Sequence, residues 1–190
     1  MQLDNDVERI SDYLSEKQNN FDRVMQSTRE IIRDAGQTIT LMHNNEKKSA
    51  AEKLVEMQKA VKRLQKIDSQ FKYQTQQAYQ EFAEAFIFFK IKTERKVPSI
   101  LSVGIEHDAY LLGLMDVVGE LKREILESLR EDRIKEAEWY FDTMKKIYDS
   151  TRKLRFAEAV LGGFRKKQDV ARIQIENAGS EILSARRRRA

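Results

Sequence analysis

The sequence predicts an all-α protein, a single-domain bundle of about six or seven helices. Three observations carry that expectation. Apolar residues recur at threes and fours along most of the chain, the spacing that keeps them on one helical face. One proline and seven glycines in 190 residues leave few places for the chain to turn. Charged residues make up 35% of the chain against 41% hydrophobic ones, the balance of long amphipathic helices rather than of buried strands. One core suffices at this length, so residues 1–183 are expected to form one helical domain and residues 184–190 a basic tail.

The first helix is expected from Asp4 to Asn44, where Val7, Ile10, Leu14, Phe21, Val24, Ile31, Ile32, Ile39 and Met42 keep the helical rhythm. Asn19-Asn20 is the one place where it is expected to break, and Asn44-Asn45 ends it. From Glu46 a second helix carries the stripe Leu54, Met57, Val61 and Leu64, and its Lys59, Lys62, Arg63 and Lys66 make a solvated face. A third, from Asp68 to Lys92, begins polar and ends in Phe82-Ala83-Glu84-Ala85-Phe86-Ile87-Phe88-Phe89. Val97-Pro98-Ser99 stops it, because proline lacks an amide hydrogen and disfavours a helical residue before it. A linker then runs to Glu106. The next helix spans Asp108 to Leu129 with Asp108 as its N-cap, and the chain turns at Glu131-Asp132. Ile134, Ala137, Phe141, Met144 and Tyr148 mark another helix, in which Trp139 and Tyr140 are packing residues. A short helix precedes Gly162-Gly163, a last one covers Phe164 to Leu183, and the four closing arginines read as a disordered tail.

Two acidic pairs stand out against this apolar background. Asp116 and Glu120, four apart, share a helical face with Gly113; Glu81 and Glu84, three apart, share one on the third helix. Gly113 and Gly119 each weaken a helix by roughly 1 kcal/mol relative to Ala, which implies that something approaches the backbone closely. Burying like charges unpaired costs several kcal/mol per ion, and a cation is the simplest remedy. Two such helices packed face to face would gather four acids, and an all-oxygen ligand set suits Mg²⁺ or Mn²⁺. Spacing alone leaves the other use open, in which the acids are solvated or paired with Lys and Arg. Glu124 and Glu127 prolong the stripe beyond the apolar section, where solvation is expected.

Lys90, Lys92, Arg95 and Lys96 follow the acids along the third helix and are candidates for gripping an anionic substrate beside any metal the acids hold, although cations there also complement the helix dipole. After residue 150, Arg152, Lys153, Arg155, Arg165, Lys166, Lys167, Arg172 and Arg186 to Arg189 outnumber Glu158, Asp169, Glu176 and Glu181, a second polyanion contact. The absence of cysteine excludes disulfides, thiolate metal sites and a Cys nucleophile. No apolar run approaches the roughly 20 residues of a membrane span, and the N-terminus is no signal peptide, so a cytoplasmic protein without membrane contact is expected. A di-iron bundle needs Glu-x-x-His on two helices, and neither His43 nor His107 follows a Glu by three. His43 is expected to pack or bond locally and His107 to sit at a helix start.

The run Tyr110-Leu111-Leu112-Gly113, with Asp116 and Gly119-Glu120-Leu121 after it, resembles the signature of the translin/Trax family. Gln80-Glu81-Phe82-Ala83-Glu84-Ala85 resembles the acidic motif of Trax upstream of it. The similarity extends to Thr28-Arg29-Glu30-Ile31, Leu41-Met42-His43, Ile147-Tyr148-Asp149 and Gly179-Ser180-Glu181-Ile182, and so covers most of the chain. It implies a translin-like helical protomer that assembles into a hollow homo-oligomer, an octamer, and binds RNA or single-stranded DNA. In Trax-like members it implies RNA cleavage with a divalent metal. Glu81, Glu84, Asp116 and Glu120 match the catalytic and metal-binding acids of Trax, whereas translin-type subunits lack the Asp, so Asp116 points to the catalytic branch and to a single-subunit, prokaryotic or archaeal type. There are departures: Ala109 intervenes between Asp108 and Tyr110, Arg130-Glu131-Asp132 replaces a Gly-rich turn, and the linker from Lys96 to Glu106 is short.

The function expected is a Mg²⁺- or Mn²⁺-dependent endoribonuclease that hydrolyses phosphodiester bonds, and the alternative is a non-catalytic RNA- or DNA-binding shell. One further pattern bears on assembly. Phe82, Phe86, Ile87, Phe88 and Phe89 surround the third helix on more than one side, so either a neighbouring subunit or the protomer's own core must cover them.

Overall fold

The computed structural model describes residues 2–188. Seven helices form among these residues: α1 (Gln2–His43), α2 (Lys47–Leu64), α3 (Lys72–Glu94), α4 (Ile100–Val103), α5 (His107–Arg130), α6 (Ile134–Thr151) and α7 (Phe164–Arg187). The described residues form no strand. α3 and α5 are the two central helices: α1 and α2 cover α3 on one side, and α6 and α7 cover α5 on the other.

The apolar end of α3 explains this placement. Phe82, Ala83, Ala85, Phe86, Ile87, Phe88 and Ile91 point in every direction around the helix, and all are buried inside the protomer. The surplus of apolar surface is therefore taken up by the protomer's own core, and it argues for no neighbouring subunit. The exposed apolar stripe lies elsewhere. Leu3, Val7, Ile10 and Leu14 stand in solvent on the first half of α1, whose buried residues begin only at Val24.

Local chemistry sets the ends of the helices. Asn45 closes α1 in the left-handed region, with φ 60°, a conformation that Asn tolerates. α1 runs unbroken through Asn19-Asn20, since Asn20 donates its side-chain amide outward to the Ile67 carbonyl at 3.3 Å instead of competing for its own backbone. α3 starts four residues later than expected because buried Asp68 is used in a turn, accepting from Tyr79 Oη at 2.6 Å and Thr75 Oγ1 at 3.2 Å. The linker after Pro98 contains the short α4, capped by Ser99. Glu106, not Asp108, is the N-cap of α5 by its extended backbone, and His107 is the first helical residue. Residues 152–163 form turns where a short helix was expected. α7 continues through Arg186 and Arg187, which are helical rather than a disordered tail; Arg189 lies outside the described residues.

Gly113 is where α3 and α5 touch. A Cβ added there would lie 2.6 Å from the Gln80 carbonyl oxygen and 2.9 Å from the Glu84 amide nitrogen, both backbone atoms that cannot step aside. Gly119 faces α7 instead, where an added Cβ would meet the flexible Gln174 side chain at 3.3 Å. Gly113→Ala is expected to force the central helices apart and destabilise the fold by about 1–3 kcal/mol, with Gly119→Ala costing less. Urea unfolding of the two variants checks the order.

Candidate metal and RNA site

The close approach at Gly113 brings the two acidic pairs together. Asp116 and Glu120 lie one and two turns further along α5, and Glu81 and Glu84 flank the contact on α3. The four carboxylates act on one another. Burial raises the pKa of Glu84 to about 9, and the charges of Asp116, Glu81 and Glu120 add to that shift. Glu81 is raised by burial and then by Asp116, with a hydrogen bond from Gln77 opposing. Glu84 is 9% exposed, and no hydrogen bond from the described residues reaches its carboxylate.

Both oxygens of Asp116 have partners. Its Oδ2 accepts from Gln80 Nε2 at 2.7 Å, and its Oδ1 receives the ammonium of Lys167 from the first turns of α7. Lys167 also pulls against the raised values of Glu81 and Glu84. As the side chains stand, no three acidic or histidine groups among the described residues converge as a ready set of ligands. The donor chemistry nevertheless suits a hard cation. The set is all oxygen, and buried Glu84 has neither a hydrogen bond nor a paired cation, only the partial offset from Lys167.

His43 enters from the end of α1. Its Nε2 bonds Glu120 Oε2 at 2.5 Å and its Nδ1 bonds Glu124 Oε1 at 2.7 Å, while Phe88 packs beside the ring at 4.9 Å. Both partners are carboxylates, so both nitrogens donate, as in an imidazolium. Burial pulls the pKa of His43 down, but the hydrogen bonds from its ring to the two acids outweigh burial and hold it above the ordinary value. This histidine bonds across the bundle rather than locally.

Glu124 is buried, not solvated. It accepts from His43 and from Lys92 Nζ at 2.8 Å, and these two cations hold its pKa below the usual range against the effect of burial. Glu127 is exposed beside Arg130, as expected.

The structure removes Lys92 from the phosphate-gripping set. Its side chain is 5% exposed, with the ammonium locked between Glu124 and the Met42 carbonyl oxygen at 2.8 Å. The other three members of that set carry partners at the surface. Lys90 and Lys96 both bond Glu94, and Arg95 lies over the Trp139 ring at 4.2 Å while pairing with Glu136 at 3.0 Å. Trp139 and Tyr140 pack in or against the core, as expected. Exposed Lys153, just after α6, and Arg165 and Lys166, at the start of α7, carry no carboxylate partner among the described residues. Buried Gln168 fixes the α6–α7 junction, donating to the Thr151 carbonyl at 2.8 Å and accepting from Arg155 at 3.0 Å.

Without metal, Glu84 makes stability depend on pH. A carboxyl that titrates at 4.5 in the unfolded chain and at about 9 in the fold contributes stability that is complete below pH 4.5 and is lost as pH rises through 9. In EDTA, Glu84→Gln is expected to match the wild-type melting temperature near pH 5 and exceed it by roughly 5 °C at pH 7.5. A constant deficit at both pH values would mean that the carboxyl is not under strain.

No helix among the described residues is long and apolar enough to cross a membrane. No protein-family model matches the chain. An uncharacterized protein of Methanocaldococcus jannaschii is 31% identical over 179 residues, spanning 92% of this chain and 80% of that protein. Among solved structures, AfC3PO in complex with duplex RNA is similar with a TM-score of 0.88 at 28% identity, over 96% of this chain and 97% of that one. AfC3PO by itself gives the same TM-score and identity over 98% of its length. Apo-NeC3PO, with a TM-score of 0.85 at 19% identity over 94% of this chain and 96% of that one, shares the fold.

Proposed function

Because this chain belongs to the translin/C3PO family, the family its acidic motifs resemble, we propose that it is a Mg²⁺- or Mn²⁺-dependent endoribonuclease working from the α3–α5 acid cluster. The observation that carries this reading is buried Glu84, a carboxyl without a hydrogen bond among three other carboxyls. Such a group is costly in a fold that has no use for it. Glu81, Glu84, Asp116 and Glu120 would hold the cation. When bound, a divalent cation supplies Lewis-acid polarisation of a phosphodiester and a lowered pKa for the attacking water.

The protein's own groups have separable tasks. Gln80 orients Asp116 and His43 orients Glu120, so each acid is presented from a fixed rotamer. Of the four, Glu120, with one oxygen on His43 and a partly exposed side chain, would be the one to take the proton from the attacking water in place of a ligand role. Exposed Lys153, Arg165 and Lys166 would meet RNA phosphates, and Lys90, Arg95 and Lys96 would add to that basic surface. Phosphate contacts position RNA without reading its sequence, so little base specificity follows. The duplex RNA bound by AfC3PO supports RNA as the ligand. In this reading copies of the chain enclose the acids in a hollow homo-oligomer, with the exposed α1 stripe, at heptad spacing, as a contact between copies.

The second reading is a non-catalytic RNA-binding shell, and the Lys167–Asp116 pair favours it, since an acid neutralised from within needs no metal. A short labelled RNA incubated with the protein in Mg²⁺ or in EDTA separates the two. Products in Mg²⁺ alone support the nuclease. Binding without products in either buffer leaves the shell.

A further inference from the structure

We propose that Lys167 is the resident counter-ion of the acid cluster, the group that a divalent cation must displace from Asp116 before the site can load. The inference rests on the nuclease reading above and adds a residue with a defined task. Each oxygen of Asp116 has one partner, Gln80 on one and Lys167 on the other, and of the two only Lys167 brings a positive charge that a cation arriving at Asp116 must meet. Gln80 sits on α3 at the Gly113 contact, where the backbone has no room to shift. Lys167 is the mobile partner: its flexible stem comes from the first turns of α7, and its side chain is 29% exposed beside Asp116 at 23%. Its charge acts on Glu81 and Glu84 as well, so a single ammonium serves three of the four acids, as a bound metal would.

The base of the lysine is fixed, so only its side chain moves when the pair with Asp116 opens. Gly163 precedes α7 in the left-handed region at φ 74°, its amide bonded to Glu158 at 2.6 Å, and the residue after Lys167 is the buried Gln168 that ties α7 to the end of α6. The displaced ammonium would therefore stay within reach of the acid cluster, tethered by its own stem. Metal and RNA would thus compete for opposite ends of the same ion pair.

Mn²⁺ titration of the full-length protein, followed by the paramagnetic resonance signal of free Mn²⁺, tests this with wild type, Lys167→Met and Lys167→Arg. Lys167→Met is expected to bind Mn²⁺ about tenfold tighter, because a unit charge a few ångströms from the ligands is removed, and Lys167→Arg to stay near wild type. In the wild-type protein, Mg²⁺ is expected to speed acetylation of Lys167 several-fold, read by mass spectrometry, and to leave Lys166 unchanged. Equal or weaker Mn²⁺ binding by a folded Lys167→Met overturns the proposal while the nuclease reading stands; so does acetylation of Lys167 that ignores Mg²⁺. If neither wild type nor Lys167→Met binds Mn²⁺, this proposal and the metal-dependent nuclease fall together.

Discussion

Asp116→Asn is expected to lower Mg²⁺-dependent RNA cleavage by at least about 100-fold, since even partners outside the ligand set cost 10–100-fold when removed. RNA binding should persist, because Lys153, Arg165 and Lys166 are untouched. The fold should persist as well. Asn keeps an oxygen for Gln80, and the pair lost with Lys167 is partly exposed, a class of ion pair worth little. Removing the negative charge of Asp116 also relieves Glu84, whose raised pKa it helps to cause. Cleavage is followed on a short labelled RNA under single-turnover conditions, with melting temperature as the control. Cleavage at the wild-type rate in Asp116→Asn would take the residue out of the chemistry.

Lys92→Met acts on stability where Asp116→Asn acts on chemistry. Lys92 is buried against Glu124, and removing one member of a buried pair leaves its partner uncompensated, which costs about 3–5 kcal/mol. His43 remains beside Glu124 and keeps the loss toward the lower figure. The double variant Lys92→Met/Glu124→Gln should recover part of it, because the stranded charge is gone. The salt dependence of RNA binding should be unchanged in both, since a buried ammonium releases no counterion from RNA. Denaturant unfolding and binding at graded salt check the two halves. A folded Lys92→Met of wild-type stability with a flatter salt slope would return this lysine to the RNA surface.

The meeting of the acid pairs was legible because each pair lies on one helix. The three- and four-residue spacings fix a common face, and Gly113 marks the contact on that face. The burial of Lys92 had a sequence signal too: it stands four residues after Phe88 and eight after Glu84, on the face that carries the acids rather than on the surface with Lys90 and Lys96. Glu124, four residues after Glu120, carried the same signal. Lys167 and His43 were not legible in this way. Each reaches the cluster from another helix, 51 and 77 residues away in the chain, and only the packing of α7 and α1 on α5 sets which side chain of the neighbour points inward. The surplus of phenylalanine on α3 was legible as burial but not as to what does the burying. A central helix and a subunit interface share that pattern, and the covering helices α1 and α5 decided for the core.

Anomalous diffraction from crystals grown with Mn²⁺ tests the cation site most directly. The account predicts a manganese peak bounded by Glu81, Glu84, Asp116 and Glu120, with Lys167 withdrawn from Asp116, and the loss of that peak in Asp116→Asn. Crystals at saturating Mn²⁺ with no anomalous peak at the α3–α5 contact and with Lys167 still seated on Asp116 would contradict it.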